Sequence, residues 1–266
     1  MISDTKVVAI GGGTGLSTML KGLKLHTHNI TAVVTVADDG GSSGILRSDL
    51  GMLAPGDVRN CVSALAEVDP VMGELLNFRF KDGSLKGHSL GNLFLAALNE
   101  TSSSFDEAVK KFSHLAGVVG TVYPVTNESV TLSALLEDGR LIEGESHIGV
   151  HHDGPKNGIV KLMVNPEKPK AVDGVIKALE KADIIVLGPG SLYTSIIPNL
   201  LVDGVVDAIK KSNAVKIYVC NIMSQAGETE NYTVSDHLAA IERHSYEGIA
   251  DIVIANNAII PESLRI

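Results

Sequence analysis

The most informative part of the sequence is Val7-Val8-Ala9-Ile10-Gly11-Gly12-Gly13-Thr14-Gly15-Leu16-Ser17-Thr18-Met19-Leu20. Four apolar residues run directly into a glycine-rich turn, and the turn opens onto an amphipathic segment that begins with Ser17. This order predicts a buried parallel strand, a tight turn and a helix N-terminus. Glycines let a ligand approach the backbone without meeting a Cβ, and the free N–H groups of a first helical turn favour an anion. The stretch therefore predicts a phosphate-binding turn, although a glycine-rich turn that binds nothing has the same pattern.

Two common nucleotide-binding motifs do not fit this turn. The dinucleotide fingerprint needs Gly-x-Gly-x-x-Gly, and here Leu16 stands where the third glycine or alanine belongs. The P-loop needs Gly-Lys-Ser/Thr, and no lysine of the turn comes before Lys21. The pattern therefore favours a phosphate but neither NAD nor ATP.

The composition is that of an ordinary globular protein. The chain has 266 residues, 44% of them hydrophobic and 20% charged, with a formal net charge of −9. An acidic protein of this kind is a poor general partner for nucleic acid or an anionic membrane. The two cysteines lie in apolar stretches without a Cys-x-x-Cys partner, which predicts buried thiols rather than a disulfide scaffold or a zinc site. The charged residues before the first strand predict no signal peptide, and we interpret the uncharged span 184–202 as strand, loop and helix because it contains Gly188-Pro189-Gly190. A cytoplasmic protein is expected.

The second predicted strand, Thr31 to Ala37, also ends in a polar glycine loop, Asp38-Asp39-Gly40-Gly41-Ser42-Ser43-Gly44, which is followed shortly by Arg47. In an open parallel sheet, ligands bind along the edge where the strands have their carboxyl ends. Two such loops on adjacent strands therefore suggest one shared cleft. The two aspartates could hold a metal ion or a sugar hydroxyl, but they could also form an Asx turn or a helix cap.

Two polar segments further along the chain lead into helical patterns. Asp57, in Pro55-Gly56-Asp57-Val58-Arg59, is either a metal ligand or a helix cap. His88, Ser89 and Asn92 are hydrogen-bonding groups at a predicted helix start. They could contact a phosphate, although a histidine in such a place often has a purely structural hydrogen bond.

Residues 119–169 depart from helical spacing and predict a small β insertion. Strand-like runs occur at Ser129–Leu136, Leu141–Ile148 and Gly158–Val164, and Asp138-Gly139 is a hairpin signal between the first two. The pair His151-His152 has no evident third ligand in sequence, so a solvated loop is favoured over a metal site.

The parallel pattern then resumes with two more strands that end in polar loops, after Leu187 and after Cys220. Together the patterns predict an α/β fold: a single Rossmann-like, three-layer sandwich with a mostly parallel sheet and a small β-hairpin insertion. The last residues read as an element that has barely begun, so the natural chain is expected to continue beyond residue 266.

The residues that we expect to bind nucleotide or phosphate are Gly11, Gly12, Gly13, Thr14, Gly15, Gly40, Gly41, Ser42, Ser43, Arg47, His88, Asn92, Gly188, Gly190, Ser191, Thr194, Ser195 and Asn221.

Several of these segments, in this order, resemble the CofD-like superfamily and most closely its bacterial YvcK branch, the gluconeogenesis factors. The matching segments are Gly11 to Gly15, Ala37 to Gly44, Pro55 to Arg59, His88 to Asn92 and Gly188 to Ser195. The resemblance implies a cytoplasmic protein that binds UDP-sugars such as UDP-N-acetylglucosamine and acts in cell shape and cell-wall precursor supply during gluconeogenic growth. It also places the residues at Asp38 and Asp57 near a phosphate and metal site.

Three functions compete at this stage. The first is a nucleotide-sugar-binding regulatory protein, and the second is a magnesium-dependent transferase of a nucleotide-activated phospho-group, as in the enzyme branch of the superfamily. The third, an NAD(P) oxidoreductase, is disfavoured by Leu16. No general base is evident, which favours binding without turnover. Mg²⁺ held by Asp38 and Asp57 is the one cofactor considered. No flavin, haem or zinc is expected, and a homodimer is considered whose surface no sequence pattern marks.

Overall fold

The computed structural model describes residues 2–149 and 158–258. The His151-His152 pair and the residues after 258 lie outside this part, so the predictions made for them stay untested. In chain order the elements are β1 (Val7–Gly11), α1 (Gly13–Leu23), β2 (Ile30–Val34), α2 (Gly41–Leu50), α3 (Gly56–Leu65), α4 (Pro70–Asn77), α5 (Leu90–Glu100), α6 (Phe105–Leu115), β3 (Thr121–Pro124), β4 (Thr131–Leu136), β5 (Leu141–Glu143), α7 (Glu145–Ile148), β6 (Ile159–Asn165), α8 (Asp173–Glu180), β7 (Ile184–Leu187), a π-helical turn (Leu192–Ile196), α9 (Ile197–Leu200), α10 (Val205–Lys211), β8 (Val215–Val219), α11 (Val234–Arg243) and β9 (Ile252–Ile254).

The main sheet has six strands in the order β3-β2-β1-β7-β8-β9, and every neighbouring pair is parallel. The strand β1 lies near the centre and is buried along its whole length, which explains its unbroken apolar run. The strand order reverses between β1 and β7. Because parallel crossovers are right-handed, this reversal places the helices of the two halves on opposite faces of the sheet. The expected Rossmann-like α/β fold is confirmed.

The β insertion is smaller than residues 119–169, because β3 joins the main sheet beside β2. The separate antiparallel sheet has the order β5-β4-β6, and the Asp138-Gly139 turn does connect β4 to β5. An antiparallel bridge between Thr126 and Ala171 closes the base of this insertion.

The predicted strand Leu141–Ile148 is wrong in its second half. The chain leaves β5 at Gly144, which has a φ of +94°, and then forms the short helix α7. Asp39, far away in sequence, accepts hydrogen bonds from the first two N–H groups of α7, at 2.9 and 2.8 Å. The periodicity of Leu141–Ile148 cannot predict α7. A helix of only four residues is stabilised mainly by tertiary contacts, here the hydrogen bonds to Asp39, and not by its own residue pattern.

Candidate functional site

The candidate site lies at the reversal point of the sheet, where the chain leaves β1 and β7 at their carboxyl ends. The two following loops touch each other closely. A Cβ at Gly15 would lie 2.8 Å from the carbonyl oxygen of Pro189, and one at Gly190 would lie 3.3 Å from the carbonyl oxygen of Gly12. Small residues are therefore required here for the loops to pack, whether or not a ligand is bound.

The helix α1 begins at Gly13 and not at Ser17, so the glycine turn itself is the helix N-terminus. Gly12 is the N-cap and provides no side-chain cap, while Gly13 has a φ of +66°, a conformation in which glycine is favoured. The N–H group of Gly13 interacts with the carboxylate of Asp57 and lowers its pKa. One donor of the expected phosphate-binding turn therefore already faces an acidic side chain of the protein.

Asp57 stands in the first turn of α3, and its position is tight. A Cβ added at Gly12 would lie 2.5 Å from its Oδ2 atom. Burial, together with the nearby charge of Asp38, raises the pKa of Asp57 to about 6. This carboxylate is therefore held against α1 in a place where its negative charge is costly without a cation.

The two neighbouring aspartates after β2 have different roles. Asp38 lines the cavity, and its Oδ1 atom accepts a hydrogen bond of 3.0 Å from the N–H of Gly40. This Asx turn was one of the two readings of the sequence, and it leaves Oδ2 near Gly56, where an added Cβ would lie 3.0 Å away. Asp39 instead bonds the start of α7 and does not line the cavity.

The cavity between these loops has a volume of about 410 Å³. It is lined by Gly13, Asp38, Asp57, Glu145, Ser146, Gly149, Ser191, Thr194, Ser195, Gln225 and Glu228. Among the described residues of this lining there are four carboxylic acids and no lysine, arginine or histidine. Burial first, and then the charges of Asp38 and Asp39, raise the pKa of Glu145 to about 7.

The loop after β7 is held by side chains from the loop after β8. Ser191 donates to Gln225 at 2.6 Å, and Thr194 donates to Glu228 at 3.0 Å. Glu228 also accepts the backbone N–H of Tyr193 at 3.1 Å. Two of the hydroxyl groups expected to face a phosphate, those of Ser191 and Thr194, therefore have partners inside the protein, and a ligand would compete with these bonds.

A second group of predicted binding residues forms hydrogen bonds behind the cavity. Arg47 donates to the carbonyl oxygens of Ala37, Asp38 and Val130, which ties α2 to the end of β2 and the start of β4. His88 and Asn92 are buried, and both bond the hydroxyl group of Ser42, at 3.0 and 3.1 Å.

Asn221 exchanges two hydrogen bonds with the backbone of Gly190, at 3.2 and 2.7 Å. Like Arg47, His88 and Asn92, it therefore uses its polar atoms to position the loops.

The predicted residues thus fall into three sets. Those that line the cavity are Gly13, Ser191, Thr194 and Ser195, together with the predicted metal ligands Asp38 and Asp57. Those that form the surrounding loops are Gly11, Gly12, Thr14, Gly15, Gly40, Gly41, Gly188 and Gly190. Those that pack or hydrogen-bond behind the cavity are Ser42, Ser43, Arg47, His88, Asn92 and Asn221.

Five lining residues were not predicted: Glu145, Ser146, Gly149, Gln225 and Glu228. Gln225 and Glu228 belong to the fourth polar loop, and the position of that loop after β8 is the sequence signal for them, although the prediction includes only Asn221. Glu145 and Ser146 reach the site only because the insertion folds back onto Asp39, and no local pattern signals this contact.

The donor set can be tested for a fit to Mg²⁺. No group of three or more His, Cys, Asp or Glu residues in the described part of the chain is arranged to hold a metal ion by itself. Mg²⁺ does not require such a cage, since it commonly binds through one or two carboxylates together with water and substrate phosphates. Asp38 and Asp57 therefore suit a cation that arrives with a phosphorylated ligand better than a permanently bound one.

Within residues 2–149 and 158–258, no helix combines the length and the apolar character needed to cross a bilayer.

Comparisons with known proteins agree with one another. A family model described as "2-phospho-L-lactate transferase CofD" matches residues 7–265. A relative in Clostridium acetobutylicum is 52% identical over 265 residues, and the match spans 100% of this chain but 59% of the relative. The gluconeogenesis factor of Bacillus subtilis is 45% identical, with 98% of this chain and 81% of that protein covered. A crystal structure of a UPF0052-family protein from Bacillus halodurans superposes with a TM-score of 0.94 at 45% identity, and covers 99% of this chain and 84% of that one. The chain therefore belongs to the CofD family, and its relatives include proteins named gluconeogenesis factors.

Proposed function

We propose that this protein binds a nucleotide sugar of the UDP-N-acetylglucosamine type as its magnesium complex, and that it acts as a cytoplasmic regulatory protein for cell shape and cell-wall precursor supply during gluconeogenic growth. The observation that carries the binding proposal is the acid-lined cavity at the reversal point of the sheet. The physiological part rests on the family and on the name gluconeogenesis factor carried by its relatives.

The electrostatics of the cavity explain why the cation belongs to the proposal. The start of α1 supplies backbone donors and the positive end of a helix dipole, which attract a diphosphate. The carboxylates of Asp38 and Asp57 stand at the same place and repel it. A divalent cation between the carboxylates and the diphosphate turns this repulsion into attraction, because both groups are hard oxygen ligands.

The remainder of the cavity suits an uncharged sugar. Ser146, Gln225 and Glu145 present a hydroxyl, an amide and a carboxyl group at its wall, and these are hydrogen-bonding partners for sugar hydroxyl groups. An added negative charge on the ligand would meet Glu145 and Glu228. The cavity volume of about 410 Å³ lies within the range of small-molecule sites.

A second function is favoured by one specific observation. Asp57 and Glu145 have pKa values raised to about 6 and about 7, and carboxyl groups tuned towards neutral pH are suited to accept or donate a proton during group transfer. A magnesium-dependent transfer of a phospho-group, as in the enzyme for which the family model is named, is therefore the alternative.

The binding proposal is tested by the thermal unfolding of the protein with UDP-N-acetylglucosamine, GDP or NAD, each with Mg²⁺ or with EDTA. We expect the UDP-sugar to raise the melting temperature in Mg²⁺ much more than in EDTA, because only the folded state binds the ligand. Asp38→Asn should abolish the difference between Mg²⁺ and EDTA, whereas Asp49→Asn, on the exposed side of α2, should keep it. A shift with NAD alone would contradict the proposal.

The transferase alternative is separated by looking for turnover. Incubation with an activated phospholactyl nucleotide and a deazaflavin acceptor, followed by mass spectrometry, should yield no transferred product if the protein only binds. A product that disappears in Asp57→Asn would establish the alternative instead.

A further inference from the structure

Arg59 is a buried cation without a matching anion. It lies on α3, and 7% of its surface is exposed. Its Nε atom donates to Oδ1 of Asn92 at 3.3 Å, and its Nη1 atom donates to Oδ1 of Asn77 at 2.9 Å. Both acceptors are neutral amides, and Arg59 forms no ion pair with any residue that the structure describes. A buried charge is normally paired, so this arrangement needs an explanation.

The nearby charges do not supply the missing anion. Burial first, and then the positive charge of Arg79, lower the pKa of Arg59. The charge of Asp57 acts in the opposite direction, but its carboxylate is held against Gly12 at the cavity and forms no ion pair with Arg59. Side chains two residues apart on a helix do not face each other. Two guanidinium groups therefore influence each other here, and no described carboxylate is paired with either.

The backbone places Arg79 at the start of α5. Arg79 pairs with Ser89 in an isolated antiparallel bridge, and Ser89 is the N-cap of α5. Opposed residues of an antiparallel pair have their side chains on the same face. The side chain of Arg79 is exposed and donates to the carbonyl oxygen of Gly87. Its charge therefore adds to the positive end of the α5 dipole.

The unused donors of Arg59 are open to solvent. A guanidinium group has five N–H donors, and the bonds to Asn77 and Asn92 use two of them. The Nη2 atom has no hydrogen bond to the described residues, and it is not among the buried side-chain atoms that lack a partner, so solvent reaches it. Asn92 stands in the first turn of α5, so Arg59 lies at the same helix start as Arg79.

The loop between Arg79 and α5 is basic as well. Residues 78–90 contain Arg79, Lys81 and Lys86 beside the buried His88, and their one carboxylate is Asp82. The whole chain, in contrast, has a net charge of −9. A local excess of cations in an acidic protein attracts an anion to that place and not to the rest of the surface.

We infer that Arg59 and Arg79 form a binding site for a phosphate group, free or carried by a small metabolite, at the start of α5. A planar guanidinium group presents two parallel N–H donors to a phosphate. A phosphate dianion balances both arginines, whereas a carboxylate leaves one of them uncompensated. Neither arginine lines the acid-lined cavity, so the inference does not depend on the nucleotide-sugar proposal.

The test is a calorimetric titration of the protein with inorganic phosphate in EDTA, together with thermal unfolding in phosphate and in potassium chloride of equal ionic strength. We expect phosphate to bind and to raise the melting temperature more than chloride does, because it binds only the folded state. Arg79→Gln should weaken the phosphate affinity by about tenfold or more, since a charge-assisted hydrogen bond is lost. Arg243→Gln is the matched control and should bind like the wild type, because Arg243 is also exposed and also donates to a backbone carbonyl group.

Arg59→Gln should abolish phosphate binding. Because Arg59 is buried, circular dichroism must show that this variant is folded, and the exposed Arg79→Gln decides the test if it is not. A phosphate effect no larger than that of chloride would overturn the inference, and so would an affinity that survives Arg79→Gln unchanged. Binding that appears only with Mg²⁺ would place the phosphate in the acid-lined cavity instead. Equal binding of acetate would overturn the assignment to a phosphate.

Discussion

Asp57→Asn should make the ligand-free protein more stable at neutral pH. The pKa of Asp57 is raised from 3.8 to about 6 on folding, which means that the native state disfavours the charged form. The unfolded state then loses its proton at lower pH than the native state, so the free energy of unfolding falls as the pH rises from about 4 to about 6. At about 1.4 kcal/mol for each pH unit, the full loss is about 3 kcal/mol above pH 6.

The variant isolates this contribution because asparagine is neutral at every pH and keeps an oxygen atom that can face the N–H of Gly13. The stability of Asp57→Asn relative to the wild type should therefore rise by about 2 kcal/mol between pH 4.5 and pH 7.5, the part of the total that falls in this window. Urea unfolding followed by circular dichroism at the two pH values measures the difference. Asp49→Asn, exposed on α2, should show no such rise.

The result that refutes the reasoning is a difference between Asp57→Asn and the wild type that does not change with pH. It would mean that Asp57 is charged in the native state without cost and that no cation is needed to balance it. If the reasoning holds, Mg²⁺ together with UDP-N-acetylglucosamine should stabilise the wild type far more than the variant, and the advantage of the variant should then disappear.

Three further predictions follow from contacts around the site. Asp39→Ala should lower the free energy of unfolding by roughly 2–3 kcal/mol in urea titrations, because two N–H groups at the start of α7 lose a charged acceptor. Asp39→Asn keeps an acceptor and should lower the free energy of unfolding by less. Equal effects of the two variants would contradict this prediction. His244 accepts the N–H of Leu162 at 2.8 Å, and burial lowers the pKa of its imidazole, so the free energy of unfolding should fall as the pH drops below 6.5. Between pH 7.5 and 5.5 the wild type should therefore lose more stability than His244→Phe. An equal loss in both proteins would show that protonation of His244 does not affect stability. Gly12→Ala should lower the free energy of unfolding by about 1–3 kcal/mol and weaken the magnesium-dependent binding of the UDP-sugar, because its Cβ would lie 2.5 Å from the carboxylate of Asp57. An unchanged affinity in calorimetry would contradict this, since it would show that the loop shifts without cost.

The strands and their loops were the predictable part of the fold. Buried parallel strands need long apolar runs, and a ligand-binding edge needs small residues, so the sequence around Ile10 and Leu187 carries both signals. The strand order could not be read in the same way. The strand β3 pairs with β2 and not with the insertion because of contacts between residues that are distant in sequence, and a short apolar run does not indicate which strand it pairs with.

The candidate site was predictable in its backbone and much less so in its side chains. Gly15 is required by the contact between the loops and Gly13 is favoured by its φ of +66°, so the glycine pattern is visible in the sequence. Polar side chains near a loop can face either the cavity or the protein, and periodicity does not distinguish the two. Asp38 faces the cavity while Arg47 bonds carbonyl groups of the loop, although the sequence presented both as candidates.

The bridge between Thr126 and Ala171 holds the two ends of the insertion next to each other. The described residues between them extend from the crossover that joins the two halves of the sheet, and they place Glu145 and Ser146 in the wall of the cavity. We therefore expect that the length and sequence of this insertion can change during evolution without a change in the loops that we propose bind a diphosphate. Proteins that share the sheet but act on different molecules should differ first in this segment.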